Sequence, residues 1–126
     1  EHGDAVRCLS THWASKRMLT GSADNALLLW NLSSGRSVAA LRGHTDSIVC
    51  LDTDWASQRA ISGSTDQLLV LWDLSTGESL HEMLGHTGAV WCVTSSWASH
   101  RALSGGGDGS LHVWDLCCGE SIMKLR

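Results

Sequence analysis

The sequence predicts an all-β protein made of three four-stranded antiparallel sheets, one in each of three tandem units. Three observations predict this. A set of residues recurs every 42 positions with no insertion or deletion. Each unit holds four short apolar or mixed runs separated by turn residues. Glycine recurs about every dozen residues and no long stretch keeps a 3.6-residue period, which sets helix aside.

The recurrence is exact in register. It relates His2, His44 and His86, then Cys8, Cys50 and Cys92, then Trp13, Trp55 and Trp97. It continues through Arg17, Arg59 and Arg101, Asp24, Asp66 and Asp108, Trp30, Trp72 and Trp114, and Gly35, Gly77 and Gly119. The units are 1–42, 43–84 and 85–126, and they leave no linker or second domain.

The middle unit shows the strands in order. Residues 47–53 (SIVCLDT) are a short apolar run, and 59–64 (RAISGS) are another that ends in small residues. Residues 68–74 (LLVLWDL) are the most hydrophobic and 78–84 (ESLHEML) the most polar. Each is the length of an ordinary strand. Between them lie Trp55-Ala56-Ser57, Thr65-Asp66-Gln67 and Ser75-Thr76-Gly77, which read as tight turns. The polarity gradient places the apolar strands inside each sheet and the last strand at a half-exposed edge.

Composition narrows the function. A chain of 126 residues is one small domain, and 43% hydrophobic content lets it bury a core. The formal charge of −4 argues against a nucleic-acid or anionic-membrane surface. With seven Trp and no Phe or Tyr, tryptophan carries all the aromatic packing. Five cysteines are an odd number for a closed disulfide framework, so a reducing compartment, the cytoplasm, is expected. No apolar run approaches the roughly 20 residues that span a bilayer, and no signal peptide is visible from Glu1 onward. Without an initiating Met the chain reads as cut from a longer array or engineered.

A period of 42 with Gly-His near the start and Trp-Asp near the end resembles the WD-repeat β-propeller family. Gly43-His44, Gly85-His86, Trp72-Asp73 and Trp114-Asp115 carry the resemblance, with Gly21-Ser22, Gly63-Ser64 and Gly105-Gly106 before the turn aspartates. The first unit departs with Glu1-His2 and Trp30-Asn31. The family's Phe-Ser-Pro-Asp-Gly loop is also missing: Thr11-His12-Trp13-Ala14-Ser15 and its copies stand there, with Trp as the replacement for Phe.

The resemblance implies a four-residue hydrogen-bond network in each propeller blade. It falls on His2, Thr20, Asp24 and Trp30, on His44, Ser62, Asp66 and Trp72, and on His86, Ser104, Asp108 and Trp114. A hydroxyl can accept from a buried indole N–H and donate to the imidazole, and the carboxylate fixes the imidazole tautomer. A Ser/His/Asp hydrolase is the remote reading of the same residues. A catalytic set needs one copy, whereas a fold-holding set recurs in every blade, so no catalytic residue is expected. Cys117-Cys118 with His112 lacks the Cys-x-x-Cys spacing of zinc sites, so no metal and no cofactor are expected. Arg17, Arg59 and Arg101 read as stacked or paired arginines between blades.

Positions that differ among the units are free for function. The family resemblance places Arg7, Val49 and Trp91, with Ala5, Ser47 and Ala89 before them, on the top rim where partners bind. Ala23, Thr65 and Gly107, each before the turn Asp, join them there. Trp91 is the best single anchor, since an exposed Trp is a typical hot spot; the competing reading packs it against a neighbouring blade.

Three blades cannot close a ring that needs about four to eight. Closure by oligomerisation is therefore expected, with two copies giving six blades at about 27 kDa or three giving nine at about 40 kDa. The expected function is a protein-interaction scaffold that binds further copies of itself and a protein or peptide on the rim. The competing reading is a self-assembling symmetric propeller without a ligand.

Overall fold

The computed structural model describes residues 3–125. They form twelve strands and, among the described residues, no helix. The first sheet holds β1 (Val6–His12), β2 (Arg17–Ser22), β3 (Ala26–Asn31) and β4 (Arg36–Arg42). The second holds β5 (Ile48–Asp54), β6 (Arg59–Ser64), β7 (Leu69–Asp73) and β8 (Glu78–Met83). The third holds β9 (Val90–Ser96), β10 (Arg101–Gly106), β11 (Leu111–Asp115) and β12 (Glu120–Leu125). In each sheet the strands lie in chain order and every neighbour is antiparallel. In the middle unit β6 falls where the sequence places it, and the other strands shift by one residue at their ends.

The turn between the third and fourth strands shows how local sequence fixes the sheet. Asn31, Asp73 and Asp115 each accept a bond from the backbone N–H two residues on, at 2.8, 2.9 and 2.8 Å. Gly35, Gly77 and Gly119 close the turn onto the same residues' carbonyls with φ of 70, 77 and 75°, a backbone shape that glycine adopts without strain. Asn31 thus does in the first unit what aspartate does in the others.

The core lies between sheets and not within one. Leu19, Leu27, Leu29 and Leu41 of the first sheet meet Ile48, Ala60, Val70 and Trp72 of the second. Ile61, Leu69, Leu71 and Met83 of the second meet Val90, Ala102 and Trp114 of the third. Along β7, Leu69 and Leu71 therefore face one neighbour and Val70 and Trp72 the other, as the two-residue period of a strand requires. A strand covered on both faces reads as a continuous apolar run. The fourth strands are largely exposed edges.

The two joints repeat one design. The first strands face each other, β1 to β5 and β5 to β9. Ile48 sits over Gly21, where a β-carbon would stand 2.7 Å from its Cγ2, and Val90 sits over Gly63 at 2.7 Å from its Cγ1. Polar bonds flank these contacts. Ser10 Oγ and Thr53 Oγ1 share a hydrogen bond at 2.6 Å, and the Ser95 N–H donates to Asp52 at 2.9 Å. The Arg17 guanidinium donates to Gln58 Oε1 at 3.1 Å, and the His12 ring stacks on Trp55 with centroids 5.9 Å apart.

The arginines expected to stack or pair between blades differ in setting. Arg17 crosses the joint to Gln58, whereas Arg101 pairs loosely with Asp115 of its own sheet, 3.8 Å away.

Candidate protein-interaction site

Six of the nine rim residues come together in three pairs. The N–H of Ala23 bonds the carbonyl of Ala5 at 2.9 Å, that of Thr65 bonds Ser47 at 3.0 Å, and that of Gly107 bonds Ala89 at 2.8 Å. This fastens the turn before each Asp to the entrance of the first strand. Arg7, Val49 and Trp91 then fall in register shifts, between Val6 and Cys8, between Ile48 and Cys50, and between Val90 and Cys92. A bulge of this kind leaves one residue out of the ladder and re-aims its side chain. Trp91 is 56% exposed, and its indole lies over Gly107, with Nε1 3.0 Å from where a β-carbon would stand. Arg7 is exposed as well, while Val49 is half-buried.

Beneath the rim lie the buried networks. In the second sheet the Trp72 Nε1–H donates to Ser62 Oγ at 2.8 Å, Ser62 Oγ meets His44 Nε2 at 2.7 Å, and His44 Nδ1 meets Asp66 Oδ2 at 2.8 Å. One assignment satisfies all three bonds. The indole donates to the hydroxyl, the hydroxyl donates to Nε2, and Nδ1–H donates to the carboxylate. The third sheet repeats it with Trp114 to Ser104 at 2.7 Å, Ser104 to His86 at 2.7 Å, and His86 to Asp108 at 3.2 Å. In the first sheet Trp30 Nε1–H donates to Thr20 Oγ1 at 2.8 Å; His2 lies outside the described residues.

Each turn aspartate also gathers backbone donors. Asp24 accepts from the N–H of Gly3 at 2.8 Å, Asp66 from Thr45 at 3.0 Å and Asp108 from Thr87 at 2.9 Å, which ties the interblade loop to the turn. Burial pushes the Asp66 carboxyl up, but the N–H groups of Thr45 and Leu68 and the His44 ring outweigh it and hold it below its ordinary 3.8. The Ser110 hydroxyl and the Thr87 N–H likewise hold Asp108 below its ordinary value.

The family described as "WD domain, G-beta repeat" matches residues 1–31, 35–73 and 77–115. The chain belongs to this WD-repeat family. A segment of 41 residues is 44% identical to eukaryotic translation initiation factor 3 subunit I of Homo sapiens, covering 32% of this chain and 13% of that protein. The Bombyx mori protein of the same name is 34% identical over 44 residues, covering 35% of this chain and 13% of its own. The chain of a solved structure titled "Structure of U3-55K" superimposes with a TM-score of 0.91 over 99% of this chain and 40% of its own, at 21% identity, a likeness of fold alone.

The third WD repeat departs from the other two beneath its rim. His112 stands where the first and second repeats have Leu28 and Val70. It is buried, stacks on Trp114 with ring centroids 5.1 Å apart and touches the His86 ring edge-on at 4.4 Å. Its Nδ1 meets Ser121 Oγ at 3.0 Å, and its Nε2 is buried without a hydrogen-bond partner. Burial and the neighbouring His86 and Lys124 push it below its ordinary 6.5. The repeat comparison carried the signal for His112, an imidazole at an apolar core position. His86, Asp108 and His112 bring one candidate ligand atom each within 4.8 Å, but both His86 nitrogens already serve the network.

Cys117 and Cys118 occupy the exposed turn after the WD dipeptide of that repeat. Among the described residues they join no group of three candidate metal ligands. The tryptophans at the missing WD-loop Phe differ in setting: Trp55 and Trp97 pack against the two interblade cores, and Trp13 is largely exposed. Among the described residues no helix is long and apolar enough to cross a membrane.

Proposed function

We propose that this chain is a protein-interaction scaffold of the WD-repeat type that captures a protein or peptide around Trp91 and associates with copies of itself to close a propeller. The observation that carries the binding role is the exposed indole at a strand bulge, beside residues that vary while their neighbours recur. A large rigid aromatic surface presented at low entropic cost is what a binding anchor needs. Dimers of six blades and trimers of nine both fit whole-blade repetition. Five free thiols favour a reducing compartment such as the cytoplasm. Ser62 and Ser104 are buried and each already accepts an indole N–H, which favours a structural over a nucleophilic role.

The test is a peptide-display selection against the immobilised chain, followed by titration of the selected peptides with the parent and the Trp91→Ala variant. A loss of tenfold or more in affinity, with an unchanged circular dichroism spectrum, is expected. Equal affinity of both forms sinks the assignment of Trp91.

A further inference from the structure

We propose that a second copy docks head-to-tail, its first sheet seated on the third sheet of its neighbour, with the incoming Val6 over Gly105. This deepens the self-association just proposed and rests on it. The two end faces carry complementary halves of a joint that the chain already makes twice.

On the first sheet, Val6 is 52% and Trp13 71% exposed. Their counterparts Ile48 and Val90 are fully buried over Gly21 and Gly63, and Trp55 and Trp97 pack into the joints. On the third sheet, Leu103, Leu111 and Leu125 are 37, 43 and 40% exposed, whereas Leu19, Leu27, Leu41, Ile61, Leu69 and Met83 at the same positions are fully buried. Gly105 repeats Gly21 and Gly63 but has no β-branched side chain above it; Cys92, Leu103 and Leu111 rim a hollow there of about 120 Å³. A second hollow of about 330 Å³ opens beside Ser96, Arg101 and Val113, in the place that Trp55 takes against His12 in the first joint. So the first face offers Val6 and Trp13, and the third offers a hollow over Gly105 walled by exposed leucines. A face-to-face dimer leaves each kind unmatched, whereas a head-to-tail joint matches them.

The polar rim of the new joint follows the same template. Thr94 and Thr11 stand where Ser10 and Thr53 bond. Arg101 meets Lys16 where Arg17 meets Gln58, which places two cations together. Salt should therefore tighten the joint, and Lys16→Gln should tighten it more, by restoring the acceptor of the internal joint.

The experiment measures mass by light scattering for the parent, for Val6→Asp, for Leu103→Asp and for an equimolar mixture of the two variants. The parent should run at about 27 or 40 kDa and each variant at 13.5 kDa. The mixture should recover about 27 kDa, because one intact Val6 face then meets one intact socket. Val6 is exposed in the single chain, so its variant keeps the fold. If Leu103→Asp loses its β spectrum, Cys92→Trp replaces it, filling the socket from an exposed position. A parent at 13.5 kDa overturns both this joint and the self-association it rests on. An oligomeric parent whose Val6→Asp variant keeps the same mass, or a mixture that stays monomeric, overturns the joint alone.

Discussion

Val90 Cγ1 occupies the space in which a β-carbon on Gly63 would stand, 2.7 Å from it, with Cys50 Sγ at 2.6 Å on the same side. A glycine in the middle of a strand weakens the strand by itself. Here the missing side chain lets the next sheet approach. Gly63→Ala should cost about 1–3 kcal/mol, the usual penalty of overpacking a filled core. Gly105→Ala should cost less, because its nearest neighbours are the Cys92 thiol and a flexible Leu111. Urea unfolding of the two variants checks this; equal losses would contradict the packing argument.

Ser62 holds two buried groups at once, the Trp72 indole and the His44 ring. Ser62→Ala leaves both without their partner. A loss of roughly 2–4 kcal/mol in unfolding free energy is expected, on the order of one desolvation penalty for each orphaned group. Ser33→Ala, at an exposed turn position, serves as the control and should change stability little.

His112 gives a pH dependence of known sign. Its folded value lies below 6.5, so the unfolded chain binds the proton more readily. Stability therefore falls as the pH drops below about 6.5. Asp66 and Asp108 act further down: their folded values lie below 3.8, so their contribution is fully present above that pH and is lost below it, as the pH falls through the folded values. His112→Val restores the side chain of the second repeat and removes an unpartnered nitrogen. It should raise stability by about 1 kcal/mol at neutral pH and flatten the loss between pH 7 and 5. Thermal melts across that range test it.

The thiols should react in two classes. Burial pushes Cys8 up to about 11 and Cys50 up to about 12. At neutral pH they are almost wholly protonated, and the thiolate is the reactive form. Cys117 and Cys118 are exposed in a turn. Iodoacetamide followed by peptide mapping should label Cys117 and Cys118 first and Cys50 last. Early labelling of Cys50 would mean that the joint between the second and third sheets opens readily.

Much of this was legible in the sequence because repetition makes noise visible. Three registers of Asp24, Asp66 and Asp108 marked the turns, and alternating runs marked the strands. The network partners could be named because the resemblance to the WD-repeat family implies them, and a buried indole and imidazole make sense of the set. The bulges at Arg7, Val49 and Trp91 were not legible, since a bulge depends on how two strands pair and no residue type announces it. Gly21 and Gly63 read as small residues before a turn; their use as sockets depends on the neighbouring sheet. Trp13 shares its sequence setting with Trp55, and only the presence of an adjoining sheet separates an exposed ring from a packed one.

Because the apolar cores sit between sheets, cohesion in this molecule belongs to its seams. Three sheets in a row share two seams, and a circle gives every sheet one. An open row therefore forgoes a third of the adhesion available to the same units in a circle, and its end sheets are where heat should first part the chain.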